Sequence, residues 1–338
     1  MKIIIDAMGG DNAPEEIVKG AVMAHQQFGY EIVLVGKEDK VNACLVAENA
    51  FGMEGITVKH ASDVIDMNDE PAAAIRRKKD SSMVVALNLL KNGEGDAVVS
   101  AGSTGALLTG ATLLVRRIKG IRRAAMAPVI PNVENGFVLI DCGANAECTS
   151  EQLLQFAHMG SLYAERMMGI SNPRVGLLNN GTEEHKGTPL RQETYKILSA
   201  AEGINFVGNV EGSRPMFGDV DVLVTDGFSG NIMLKTIEGT AKFILKSFKE
   251  ILGKNVKNLL AAALIKKDVY ALKDKLDPNA VGGTAFLGIS KPVIKAHGSS
   301  EASAIVSAIG QAGAFVESGF IATIEENIDK LRLSDAQE

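Results

Sequence analysis

The stretch Ile3-Ile4-Ile5-Asp6-Ala7-Met8-Gly9-Gly10-Asp11-Asn12 decides the fold. Three consecutive isoleucines read as a strand, and the lack of apolar-polar alternation marks a strand covered on both faces. The strand runs straight into Gly9 and Gly10. Residues 14–28 then read as a helix, with Asn12 as its N-cap and Pro14 in its first turn. Strand, glycine turn and helix in succession form the repeating unit of a parallel sheet.

Working outward, the same grammar recurs. Short apolar runs at 32–35, 56–60, 97–100, 138–141, 175–178, 205–207, 222–225 and 293–295 read as strands. Helical patterns fill the gaps at 72–79, 82–92, 105–117, 150–168, 189–201, 230–252, 256–275 and 301–331. This alternation predicts an α/β fold, a three-layer α/β/α doubly wound sheet. Residues 1–333 read as a single domain, with no internal repeat or low-complexity linker, and 334–338 read as a frayed end.

The composition limits the function. The chain has 338 residues, is 46% apolar and 22% charged, and has a net charge of −6. That mild acidity and the lack of Trp argue against nucleic acid as a partner. Cys44, Cys142 and Cys148 are an odd set without CxxC, which excludes a four-cysteine zinc site and fits a reducing cytoplasm. Asp6 interrupts the N-terminal apolar run before a signal peptide develops. Residues 97–115 carry no charge, but Gly102, Gly105, Gly110 and five hydroxyl residues make strand, turn and helix a better reading than a membrane span.

One segment departs from the pattern. Lys242 to Lys275 holds nine lysines and three acids. Within it Val256, Leu259, Leu260, Ala263 and Leu264 fall on one helical stripe flanked by Lys254, Lys257, Lys266 and Lys267. Residues 240–280 therefore read as a protruding amphipathic segment. It docks on the core, on a second subunit, or on an anionic membrane surface.

The 35 glycines are informative by position. Gly9 and Gly10, Gly102 and Gly105, Gly143, Gly181 and Gly187, Gly227 and Gly230, and Gly298 each follow a strand. In a parallel sheet such turns gather outside the carboxyl ends of the strands, where backbone N–H groups bind anions. With Ser, Thr, Asn, Lys, His or Asp beside them, six such turns point to a phosphate or carbonyl site. No GxxxxGK[ST], GxGxxG or GxSxG is present, which removes the main support for a P-loop NTPase, a Rossmann dehydrogenase or a hydrolase elbow. His185 beside Lys186 reads either as an acid/base pair or phosphate clamp, or as an exposed loop pair. His297, before Gly298-Ser299-Ser300, reads either as positioning a reacting group or as a strand-end hydrogen-bonding residue. Cys142 reads as core filler, and His25, His60 and His158 as structural. Asp6, Asp11 and Asp226 read as loop anchors and helix caps rather than joint Mg2+ ligands, so no metal is expected.

Taken together and in order, these segments resemble the bacterial phosphate acyltransferases of phospholipid synthesis, the acyl-[acyl-carrier-protein]:phosphate acyltransferase family. The segments are DAMGGD at 6–11, EPAAAIRRKKDSSM at 70–83, SAGSTGAL at 100–107, DCGAN at 141–145, NGTEEHKG at 180–187, GNVE at 208–211, TDGFSGN at 225–231 and KAHGSS at 295–300. The resemblance covers residues 1 to about 320. It implies transfer of an acyl chain from a carrier-protein thioester to inorganic phosphate. It also implies a homodimer, a fold similar to isocitrate/isopropylmalate dehydrogenases and phosphotransacetylases, and a cytoplasmic enzyme peripherally associated with the inner face of the membrane. No cofactor is implied.

On that reading Lys186, Lys295 and His297 are the expected catalytic residues. Asp6, Gly9, Gly10, Asp11, Ser103, Thr104, Gly105, Asn145, Asn180, Gly181, Asp226, Asn231 and Ser299 are expected to bind phosphate and substrate. Arg76, Arg77, Lys78 and Lys79 are expected to receive the acidic carrier protein, and Leu259, Leu260 and Leu264 to meet the membrane. Competing readings are an acyl-CoA-dependent phosphotransacetylase-like enzyme, a dehydrogenase, and a non-catalytic scaffold at a membrane surface.

Overall fold

The computed structural model describes residues 1–269 and 282–331. In chain order the principal elements begin with β1 (Lys2–Asp6), α1 (Glu15–Phe28), β2 (Glu31–Gly36), α2 (Glu38–Ala47), β3 (Ile56–His60), α3 (Pro71–Arg77) and α4 (Ser82–Asn92). Then come β4 (Ala97–Ser100), α5 (Thr104–Gly110), β5 (Ala125–Ala127), β6 (Val129–Ile130), β7 (Phe137–Ile140), α6 (Ser150–Met168), β8 (Arg174–Asn179) and α7 (Pro189–Ala200). The last are β9 (Asn205–Glu211), β10 (Val222–Val224), α8 (Gly227–Gly253), α9 (Val256–Leu264), β11 (Thr284–Leu287), β12 (Val293–Lys295), α10 (Ala302–Glu317) and α11 (Phe320–Glu326).

The expected α/β class is present, with the strands shared between two sheets. The first runs β3-β2-β1-β4-β12-β11-β5, parallel except for β11 against its two neighbours. The second runs β6-β7-β10-β8-β9, parallel except for β6. The segment 125–130 passes from one sheet to the other. Ala125–Ala127 pairs with β11, and Val129–Ile130 pairs with β7. The extended chain on either side of Pro128 also bonds across, with Cys142 N donating to the Met126 carbonyl at 3.0 Å and Leu139 N to that of Pro128 at 3.0 Å.

β1 explains why its isoleucines do not alternate with polar residues. Ile3 and Ile5 face one core with α1 and α10, while Ile4 faces another with α4 and α5. The first of these cores continues through α6 beneath the second sheet, and α8 covers that sheet's far side through Leu234. The uncharged run 97–115 is strand, turn and helix, and it ends in a widened π turn at Ala111–Val115 instead of continuing α-helix to 117. The stretch Ala302–Glu326 is long and apolar enough to cross a membrane. It is a core element here: Ile305 and Ile309 are buried, and Gly20 of α1 packs directly onto Ile305.

Asn12 does not cap α1. Pro14 holds the N-cap position, and the Asn12 amide instead donates to the Ser299 and Ser300 carbonyls at 3.2 Å each. The long-range tie outcompetes the local cap because it joins the loop after β1 to the loop after β12.

Over its described residues the amphipathic segment is helical and its apolar stripe is exposed. Asn255 caps α9 by accepting from Asn258 N at 2.9 Å. Leu260 is 65% exposed and Leu264 87%, so this stripe does not dock on the chain's own core. The side chain of Leu259 and residues 270–281, on which the end of the helix expected over 256–275 falls, lie outside the described residues.

His158 on α6 is 9% exposed, and its Nε2 is buried without a partner. It lines a cavity of about 200 Å3 with Ser161, Leu162, Lys330 and Leu331. Burial, then repulsion by Lys330, lowers its pKa from 6.5 to about 4. The folded state thus favours the neutral ring. Its stabilisation is fully present above pH 6.5 and is lost as pH falls through about 4. Urea unfolding across this window should lose about 3 kcal/mol through His158. His158→Leu should flatten that part of the profile, and an unchanged slope in the variant would refute the assignment.

Candidate active site

Three parallel strands set the first half of the site. Their register places Asp6 of β1 beside Ser100 of β4, and Ser100 beside Lys295 of β12. All three are at least 93% buried at the carboxyl ends of the strands. Ser100 Oγ donates to Asp6 Oδ2 at 2.7 Å and accepts from Gly102 N at 3.1 Å. Lys295 Nζ donates to the carbonyls of Ala101 (3.1 Å) and Ala296.

The turns close over this trio. A Cβ on Gly9 would lie 2.5 Å from Asp6 Oδ2 and 2.7 Å from Gly102 N, so only glycine allows the two turns to meet. Asp11 N donates to the Gly298 carbonyl at 2.8 Å. Ser103 caps α5, where Thr104 and Gly105 follow, and Gly105 abuts Pro71 of α3. Asp6, Gly9, Gly10, Asp11, Ser103, Thr104, Gly105, Lys295, His297 and Ser299 thus lie on three neighbouring strand-end loops.

Burial dominates the electrostatics. It raises the Asp6 pKa against the hydrogen bonds of Ser82 and Ser100, the Met8 amide and the charge of Lys295. It lowers Lys295 to about 8, although Asp6 and Asp11 oppose the shift. His297 is also lowered, by burial first and then by repulsion from Lys235 and Lys295. Ser299 N donates to His297 Nδ1 at 3.3 Å. The neutral ring therefore carries its proton on Nε2, a donor free of that loop.

The second half lies at the carboxyl ends of β7, β10 and β8. Asp141, just past β7, accepts from the amides of Met126 (2.9 Å), Cys142 (2.6 Å), Ala144 (3.3 Å) and Asn145 (2.6 Å). Asn145 also donates its side-chain amide to Asp141 at 3.0 Å and to the Ala124 carbonyl at 2.8 Å. Gly227 N donates to the Asn145 carbonyl at 2.7 Å, seating the start of α8. Asp226 caps α8 and pairs with buried Arg191 at 2.5 Å. Arg191 also bonds Thr225 Oγ1 at 3.1 Å and the Leu178 carbonyl at 3.0 Å. Asn231 faces the Gly143 turn.

The loop after β8 is a tight turn. Asn179 Nδ2 donates to the Lys186 carbonyl at 3.2 Å, and the Lys186 stem packs on Gly181. Asn180 and His185 are exposed, and Lys186 is half-buried.

The expected residues therefore form two groups at two sheet ends instead of one rim. Asn145, Asn180, Gly181, Lys186, Asp226 and Asn231 belong to the second group. Segment 124–126 and helix α8 connect the groups. Lys235 on α8 acts on Cys142 in one and on Lys295 and His297 in the other.

Sequence reading missed Ser100, Asp141, Arg191 and Lys235. A strand-terminal Asp is a usable signal for Asp141, but nothing local marks Arg191, whose partner is 35 positions away. Burial pushes the Cys142 thiol up to about 12, which fits core filler and not a nucleophile. Among the described residues no cluster of three or more His, Cys, Asp or Glu could hold a metal ion.

In the basic patch, Glu70 caps α3 by accepting from Ala72 N and Ala73 N. Arg76, Arg77 and Lys79 are exposed. Lys78 is committed elsewhere, donating to Asp69 at 2.7 Å and to the Val64 carbonyl at 2.8 Å.

The fatty acid synthesis protein family matches residues 1–323. A phosphate acyltransferase of Oceanobacillus iheyensis is 47% identical over 332 residues, covering 98% of each chain. Among solved structures, a phosphotransacetylase from Streptococcus pyogenes superposes with a TM-score of 0.62 at 18% identity, covering 94% of each chain. A Salmonella typhimurium protein assigned as a 4-hydroxythreonine-4-phosphate dehydrogenase gives a TM-score of 0.52 at 15% identity, over 93% of this chain and 99% of that one. At such identities the structural likeness speaks for the fold alone, in agreement with the expected doubly wound class. The near full-length kinship at 47% identity decides the family: the chain belongs to the phosphate acyltransferases and is an acyltransferase enzyme.

Proposed function

We propose that the enzyme transfers a fatty acyl group from an acyl-[acyl-carrier-protein] thioester to inorganic phosphate, giving acyl phosphate for phospholipid synthesis. Phosphate is already an anion at neutral pH and needs no strong base. It must be held, partly stripped of water and aimed at the carbonyl carbon. The turns at Gly9–Asp11 and Ser103–Gly105 hold it at the first sheet end, and the second group, with Asn180–Lys186, Asn145, Asp226 and Asn231, completes the substrate site from the other. A phosphate oxygen attacks, and the new O–C bond forms as the C–S bond breaks. The electron pair leaves on the carrier thiolate, so no covalent enzyme intermediate is needed. Lys295, Nε2–H of His297 and Ser299 stabilise the oxyanion.

The observation that carries this reading is buried Lys295, packed among three strand-end turns with a pKa of about 8. Arg76, Arg77 and Lys79 receive the acidic carrier, with Lys78 shaping their loop. The apolar stripe with Leu260 and Leu264 serves a homodimer or the inner face of the cytoplasmic membrane.

The test is incubation with acyl-carrier-protein thioester, with and without phosphate, while free thiol is followed. Phosphate-dependent thiol release with acyl phosphate as product is expected. Release without phosphate, or an acylated enzyme trapped during turnover, would overturn the proposal. Equal or faster turnover of acyl-CoA would assign the donor to coenzyme A instead.

A further inference from the structure

The two groups of site residues raise the question of what α8 does between them. Its first turn is seated on the Asp141–Asn145 loop, and Asn231, one turn on, faces Gly143. Lys235 comes one turn further along the same face. Its side chain is 56% exposed and pairs at 2.9 Å with Glu238, which is 12% exposed. Although it belongs to the second sheet's helix, its charge is felt at Lys295 and His297 on the first. The charged and titratable groups meeting there are Lys235, Glu238 and Lys242 of α8, with Lys295, His297, Asp6 and Asp11 opposite. Lys235 thus stands one turn beyond Asn231 of the second group, within electrostatic reach of the first, and Glu238 holds its ammonium.

We propose that Lys235 is a phosphate-binding residue supplied by α8, and that Glu238 occupies its ammonium until phosphate takes the carboxylate's place. This rests on the reading of the site given above. The ammonium has three donors on a flexible stem, so it can exchange a carboxylate for a phosphate oxygen without moving the helix. Exchange makes Glu238 a competitor of phosphate, so removing its charge tightens phosphate binding while removing Lys235 weakens it. An exposed structural ion pair would move neither.

The test is equilibrium binding of inorganic phosphate to the full-length protein by calorimetry, with steady-state kinetics alongside. Lys235→Met should weaken phosphate binding about tenfold or more, the loss of one charge-assisted hydrogen bond. Lys235→Arg should restore most of it. Glu238→Gln should tighten phosphate binding several-fold. The alkaline limb set by Lys295 should move to higher pH in Lys235→Met, because a repelling cation is gone. Unchanged phosphate binding in a folded Lys235→Met protein would overturn the proposal. Weaker binding in Glu238→Gln would overturn the exchange. A rise confined to the acyl-donor KM would also overturn the proposal and assign Lys235 to the carrier. Phosphate binding is read without turnover, so absence of acyl transfer from any donor would refute the proposed function separately.

Discussion

Lys295→Met should lower phosphate-dependent kcat/KM by about 10²–10³-fold, the scale of losing one preorganised donor to a developing oxyanion. The side chain is 7% exposed and anchored by the Ala101 and Ala296 carbonyls. Two of its three N–H donors are thereby fixed, and the position of the third follows. Met preserves the stem volume. Asp6, left without its neighbouring cation, protonates readily because burial already raises its pKa. Folding should therefore survive, as a melting curve would establish.

The pH profile separates a charged role from a packing role. Lys295 is protonated below its pKa of about 8 and neutral above it. Activity that needs the ammonium falls as pH rises through about 8. The residual activity of Lys295→Met should lack that limb. A variant within threefold of the wild type, or one retaining the limb, would remove Lys295 from the chemistry.

What the sequence reveals of this architecture depends on whether a feature is local. β1, β4 and β12 are legible because helices cover both faces, which leaves continuous apolar runs such as Ile3–Ile5. Their glycine turns are legible for the same reason, being the ends of those runs. β5, β6 and β11 are not. Segment 125–130 is short, broken by Pro128, and becomes strand only because Met126 pairs with Phe286 in one sheet and Ile130 with Phe137 in the other. The passage from one sheet to the other rests on both pairings, the first between residues 160 positions apart, so no local pattern announces it. The same holds in the site. Lys295 ends a readable strand, whereas Arg191, in the first turn of α7, and Lys235, within α8, gain meaning only from groups distant in sequence. The α9 stripe is fully legible as amphipathic, yet its pattern says nothing about which surface covers it.

Asp141→Ala should be the most damaging substitution for stability. Asp141 is fully buried and accepts five hydrogen bonds, four from backbone amides and one from the Asn145 side chain. Removing the carboxylate strands those donors, each costing about 1–3 kcal/mol, and not additively because they share one loop. A net loss of about 3–5 kcal/mol follows, like that of breaking a buried charged network. For a chain of this size that is a fall in Tm of about 4–7 °C. Asp141→Asn should cost less, since one oxygen still accepts, but its NH2 group would confront a donor where Oδ2 or Oδ1 now accepts. The damage should reach function as well as folding. The same loop ties β5 to β7 through Met126 and seats α8 through Asn145, so it holds the two groups of site residues in register. Gly230 reinforces this, packing so closely on the Asp141 carbonyl that a Cβ would collide with it. If thermal scans of Asp141→Ala showed less than about 1 kcal/mol of loss, Asp141 would not be the post on which the two halves are hung.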